Sequence, residues 1–130
     1  LEVTGVGEVH DYRVGELSGG WERRLGLAWT FLQPSDVLLL DEPLAGLDPL
    51  TLERVVEYLG SRAAEGATVV MATHELDPVD SLAPAIAVLD GGRVAARFEP
   101  GTGPMRELYR TALLGALAQE RREIANEIAS

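Results

Sequence analysis

Asp41 and Glu42 close the apolar run Val37-Leu38-Leu39-Leu40, and adjacent carboxylates at the tip of a rigid strand suit hydrolysis of a phosphate anhydride. The first can hold Mg2+, directly or through water, because a hard cation prefers oxygen ligands. The second can orient or deprotonate an attacking water. Pro43 fixes the backbone immediately after the pair. A second constellation is Ser18-Gly19-Gly20, at the expected start of a helix. Free amide N–H groups, a hydroxyl and the positive end of the helix dipole converge there, and the glycines let an anion approach the backbone. His74, in Thr73-His74-Glu75, follows another apolar run and can bind a phosphate oxygen or polarise water. Each also has a plainer reading: an acidic pair for solubility, an ordinary N-cap, a packing or capping histidine. His10 has only the plainer one.

These groups need elements to position them. The spacing predicts a helix capped by Ser18 and running to about Leu32, where Pro34 blocks continuation. Val37 to Asp41 reads as a strand buried on both faces, as in a parallel sheet. Asp48 then caps a helix with Pro49 at its first position, running to about Ala64 and stopped by Gly66. Its apolar stripe is Leu52, Val55, Val56 and Leu59. Thr68 to Ala72 is a second buried strand, so the segment is a βαβ unit with an expected right-handed crossover. That crossover brings His74 near Asp41 if the two strands are neighbours or one apart. A short helix from Asp77 to Leu82, a strand from Ala85 to Leu89 and a hairpin turn at Asp90-Gly91-Gly92 into Arg93 to Phe98 follow. Pro100 to Pro104 reads as a linker, and Met105 to Ile128 as a long helix with Leu113, Leu117, Ile124 and Ile128 along one side. That stripe either docks back on the domain or serves a partner.

The order of the parts is more specific than any one of them. Leu17-Ser18-Gly19-Gly20, Arg23-Arg24-Leu25, the strand with Asp41-Glu42-Pro43, Ala45-Gly46-Leu47-Asp48 and Thr73-His74-Glu75 follow one another. Over roughly Val6 to Phe98 the chain resembles the C-terminal half of the ATP-binding-cassette (ABC) ATPase domain. The resemblance implies an α/β fold: a partial P-loop NTPase core, a mostly parallel sheet with flanking helices and a C-terminal helix. It divides the chain into residues 1–99, the ATPase part, and 100–130, linker and helix. It implies that Leu17, Ser18, Gly19 and Gly20 form the signature motif, which closes over ATP held by a second ABC ATPase domain in a head-to-tail dimer. Asp41 then corresponds to the Walker B aspartate beside Mg2+, Glu42 to the catalytic glutamate, Ala45 to Asp48 to the D-loop and His74 to the switch histidine.

The chain also departs from the pattern. It has no G-x-x-x-x-G-K-[ST] loop, and its eleven cationic residues are all Arg. The resemblance therefore implies a missing N-terminal half carrying the phosphate loop, and the chain alone is expected to be inactive. Leu1 stands where an initiator Met is expected, which fits a fragment. Trp21 replaces the usual Gln of transporters and resembles ABC-F translation factors, whereas Gly46-Leu47-Asp48 is transporter-like. Trp29 reads as a packing residue. The expected function is the ATPase part of an ABC transporter, cytoplasmic and held at the inner membrane face by separate membrane-spanning permease chains. The alternatives are a soluble ABC-F type factor and a degenerate regulatory subunit.

Composition narrows the classes further. The 130 residues are 46% apolar, enough for one modest core. A formal charge of -10 disfavours nucleic acid as a partner. The absence of Cys excludes disulfides, thiol chemistry and cysteine zinc sites, and suits a reducing compartment.

Overall fold

The structure is a computed structural model describing residues 2–83, 85–99 and 104–128. It divides into two compact units, Leu1–Glu75 and Leu76–Ser130. Leu1 and residues 100–103, most of the expected linker, lie outside the described residues.

In the first unit, short 3-10 turns at Val6–Val9 and Val14–Glu16 precede helix α1, Gly19–Leu32. The helix ends where Pro34 would have to supply a backbone N–H. Strand β1, Val37–Asp41, leads to helix α2, Pro49–Ala64, and on to strand β2, Thr68–Ala72. The caps of α2 are those its composition dictates. The Asp48 carboxylate accepts a hydrogen bond from the Thr51 N–H at 3.1 Å, Pro49 opens the helix, and Gly66 leaves it at φ 101°. Val55 and Leu59 are buried in the core with Leu44, Leu38 and Leu40. Phe31 and Tyr58 join α1 to α2, with ring centroids 4.3 Å apart and the tyrosine hydroxyl donating to the Phe31 carbonyl at 3.2 Å.

β1 and β2 pair in parallel, with Leu39 opposite Val70 and Asp41 opposite Ala72. The expectation that both strands are buried on both faces is corrected here. Burial alternates along β1, where Leu38 and Leu40 are covered and Leu39 is 73% exposed, and Val70, opposite Leu39 on β2, is 55% exposed. The physical reason is the layer count. Helix α2 packs on β2, and among the described residues of this unit nothing covers the face that carries Val37, Leu39 and Val70. Trp29, read as a packing residue, is likewise exposed.

In the second unit, helix α3 spans Leu76–Leu82, and β3, Ile86–Asp90, pairs antiparallel with β4, Arg93–Phe98. Gly91 and Gly92 both take positive φ (52° and 76°), the two-residue turn that matches strand twist. Helix α4, Met105–Ile128, contacts α3, β3 and β4, with Met105 buried at its start. Arg106 clamps Asp77 of α3 with two parallel bonds, Nε to Oδ1 at 2.7 Å and Nη2 to Oδ2 at 2.8 Å. Of the expected stripe on α4, Leu113 is half-buried and Leu117 exposed, so the docked part of the helix is its start at Met105 and Arg106, ahead of the stripe; the side chains of Ile124 and Ile128 lie outside the described residues. Among the described residues, no helix is long and apolar enough to cross a membrane.

Candidate functional site

The site grows from the register of β1 and β2. Asp41 pairs with Ala72, and the Glu42 N–H extends the ladder one step further by donating to the Ala72 carbonyl at 2.8 Å. There the chain leaves the sheet abruptly. Glu42 adopts φ 47°, and among the described residues it alone, glycines aside, has positive φ. An L-residue in this left-handed region costs on the order of 1 kcal/mol. The strain interrupts strand geometry at Glu42, and Pro43 and Leu44, both buried, anchor the turn beyond it.

Because β2 ends level with β1, the next residues of each strand meet. Glu42 Oε1 lies 2.7 Å from Nδ1 of His74. Its other oxygen accepts from the Thr73 hydroxyl at 3.2 Å and the His74 N–H at 3.4 Å. The Thr73 hydroxyl in turn accepts from the Glu75 N–H at 3.0 Å, which fixes its orientation. The hydrogen bond with His74 holds the Glu42 carboxyl below the usual glutamate value. The same bond, with the charge of Glu42 behind it and that of Glu75 nearby, holds the His74 imidazole above its ordinary value. The His74 side chain stays 72% exposed, so the rest of the ring faces solvent. Thr73 is a hydrogen-bond partner of Glu42 that sequence reasoning did not single out; its place beside His74 was the available signal.

Asp41 ends β1 on the same sheet face as Leu39 and Val70, the uncovered one. Among the described residues, no cluster of three His, Asp or Glu side chains forms a metal cage. One carboxylate at a strand tip nonetheless fits Mg2+, which keeps most of its waters and binds through one or two carboxylates plus substrate phosphates.

Ser18, Gly19 and Gly20 are exposed at the start of α1, with Leu17 half-buried behind them. Ser18 occupies the N-cap position with extended backbone, but its side chain makes no capping hydrogen bond, which corrects the expected cap. The first-turn N–H groups are thus not satisfied by Ser18, and they remain donors for an incoming acceptor. A side-chain contact set that the sequence did not foretell links the next turn of α1 to the loop after Glu42. Arg23 Nη1 donates to the Ala45 carbonyl at 2.7 Å, and Arg24 forms an ion pair with Asp48. Asp48 is held below the usual aspartate value, mainly by its hydrogen bonds with Thr51 and further by the charge of Arg24.

Three comparisons bear on this arrangement. Residues 14–77 match the family described as an AAA domain, putative AbiEii toxin, Type IV TA system. The chain is 40% identical over 100 residues to the Nod factor export ATP-binding protein I of Neorhizobium galegae, covering 77% of this chain and 29% of that protein. It is also 40% identical over 101 residues to the daunorubicin/doxorubicin resistance ATP-binding protein DrrA of Streptomyces peucetius, covering 78% of this chain and 31% of the relative. A solved ATP-binding subunit of an ABC transporter superposes with a TM-score of 0.70 at 25% identity, covering 77% of this chain and 45% of that one. The chain thus spans about a third of the length of the curated relatives it matches.

Proposed function

Since this chain is an ABC ATPase segment by its sequence relationship and its α/β fold, we propose that it supplies the signature, Walker B and switch part of an ATPase that drives an ABC transporter. The observation carrying this reading is the 2.7 Å contact of Glu42 with His74 at the common tip of β1 and β2. A carboxylate beside an imidazole, one residue past an exposed strand-end aspartate, is an arrangement suited to handing a water to a phosphorus atom.

In this mechanism Glu42 is the general base. It accepts the proton of the attacking water once its carboxylate turns from His74, and His74, as imidazolium, meets the phosphoryl oxygens as charge builds on them. Asp41 would hold Mg2+, which supplies charge neutralisation at the phosphates when bound. The Leu17 to Gly20 turn receives the γ-phosphate of ATP held by a second ABC ATPase domain, its open N–H groups acting as donors. Asp48, in the following loop, belongs to the same cross-domain contact. The phosphate loop comes from an N-terminal half, and the uncovered face of Val37, Leu39 and Val70 is where that half packs. Separate membrane-spanning permease chains carry the substrate, which makes the working protein cytoplasmic and peripheral at the inner membrane face.

The test joins this chain to a half that carries the phosphate loop and compares hydrolysis with ATP binding. Glu42→Gln is expected to lower turnover by about 10²-fold or more while leaving ATP affinity in place. Undiminished turnover in that variant overturns the role of Glu42. The 130-residue chain by itself is expected to show no ATPase activity.

A further inference from the structure

The loop from Ala45 to Asp48 leaves the hydrolytic tip and enters α2, yet two side chains of α1 also hold it. Arg23 reaches the Ala45 carbonyl at 2.7 Å, and the same guanidinium nitrogen would stand 3.7 Å from a Cβ added at Gly46, whose φ is 72°. Arg24 pairs with one oxygen of Asp48 while the other oxygen caps α2 through the Thr51 N–H. The Arg24 guanidinium also lies over the Trp21 ring, 4.4 Å from its centroid, and its side chain is 19% exposed. One aspartate thus ties together two helices, and one arginine is held between an aromatic face and a carboxylate. A guanidinium fixed on both sides in this way has few alternative rotamers to populate.

We propose that Arg23 and Arg24 are positioning residues that lock the Ala45–Asp48 loop to the start of α1, so that the Ser18–Gly20 turn and the Glu42 tip are set as one body. The physical argument is rigidity. Arg23 and Arg24 lie about one helical turn beyond Gly20, so a displacement of the exposed turn passes directly to their guanidinium groups. From there it reaches the loop backbone at Ala45 and the cap of α2 at Asp48. A phosphate arriving at the turn would thereby change the attitude of the segment that follows Glu42. Trp21 acts as the platform beneath the second arginine. This inference rests on Glu42 being the base and the Ser18–Gly20 turn being the phosphate reader.

The experiment is a double-mutant cycle in the ATPase completed with a phosphate-loop half. Arg24→Gln removes the charged fork. Asp48→Asn removes the charge but keeps an amide oxygen able to cap α2. Each single variant is expected to lower kcat about tenfold with the KM for ATP changed less than about twofold, since a small misplacement acts on the chemical step. The double variant is expected to lose no more than either single one, because both remove the same contact. Arg24→Lys is expected to recover part of the kcat. Independent, multiplying losses, a kcat within about twofold of the parent for Arg24→Gln, or a loss expressed only in KM each overturn the proposal. If Arg24→Gln does not fold, the kcat and KM of Asp48→Asn decide by the same criteria. Glu42→Gln, run alongside, separates the two ideas. If Glu42→Gln keeps full turnover, the underlying assignment fails; if it is inactive while Arg24→Gln is fully active, only the lock fails.

Discussion

Nδ1 of His74 lies 2.7 Å from Oε1 of Glu42, although the two residues are 32 positions apart in the chain. Parallel pairing of β1 and β2 produces this meeting, because Asp41 and Ala72 end their strands level with each other. The positive φ of Glu42 then breaks the strand geometry at the residue that makes the contact. Among the described residues of the first unit, nothing else combines a strand-end carboxylate, a strained backbone and an exposed imidazole.

The contact fixes a pH window. His74 is raised from 6.5 by its bond to Glu42, so its share of the stabilisation is fully present below 6.5 and is lost as pH rises through the raised value. Glu42 is lowered from 4.5, so its share is present above 4.5 and is lost as pH falls through the lowered value. The charged pair therefore occupies the interval between the two shifted values. An NMR titration of the His74 ring is expected to give a midpoint above 6.5, and Glu42→Gln is expected to return it toward 6.5. A midpoint indifferent to that substitution contradicts the pairing.

Much of this was legible before the structure. The strand Val37–Asp41, the strand Thr68–Ala72 and the Asp48–Pro49 helix start follow from apolar runs and caps, which are local signals. The expectation of His74 near the tip of the first strand assumed that the two strands are neighbours or one apart; they are neighbours, and it is Glu42 that His74 meets. What stayed illegible depends on three-dimensional placement. No propensity predicts a glutamate at φ 47°, because that conformation is imposed by the ladder bond to Ala72 and the buried Pro43-Leu44 turn beyond. Arg23 and Arg24 read as part of a pattern, yet their partners lie 22 and 24 positions away. The apolar composition of β1 is that of a strand covered on both sides, whereas this unit covers one.

Leu59 sits at 1% exposure on the inner stripe of α2 beside the fully buried Val55. Truncation there removes packed methyl groups that no neighbour can replace without moving a helix. Leu59→Ala is expected to destabilise the chain by about 2–5 kcal/mol in urea denaturation. A loss below about 1 kcal/mol would mean that the α2 stripe is not the core of this unit.

The bare face makes an opposite prediction. Leu39 is 73% exposed, so Leu39→Lys in the 130-residue chain is expected to change melting little, within about 0.5 kcal/mol, and to reduce self-association in sedimentation. Joined to a half that covers this face, the same substitution buries an unpaired charge and is expected to prevent folding or turnover. Tolerance of Leu39→Lys in both contexts would show that the face stays open.

In the second unit, the forked contact between Arg106 and Asp77 predicts a chemical-shift titration rather than a stability effect. Asp77 is held below 3.8, first by its hydrogen bonds to Arg106 and then by the guanidinium charge. Both side chains are more than two-thirds exposed, at 72% and 71%, so water screens the pair and its contribution to melting is expected to be small. Arg106→Gln is expected to move the Asp77 midpoint back toward 3.8 in a carboxyl NMR titration, with the melting temperature nearly unchanged. Salt supplies the control. At about 1 M ionic strength the Debye length falls to roughly 3 Å, so the part of the shift due to charge shrinks while the part due to the two short bonds persists. A midpoint that returns fully to 3.8 in high salt would mean that the fork is open in solution, and that α4 meets α3 through Met105 and its apolar neighbours without an ionic clamp.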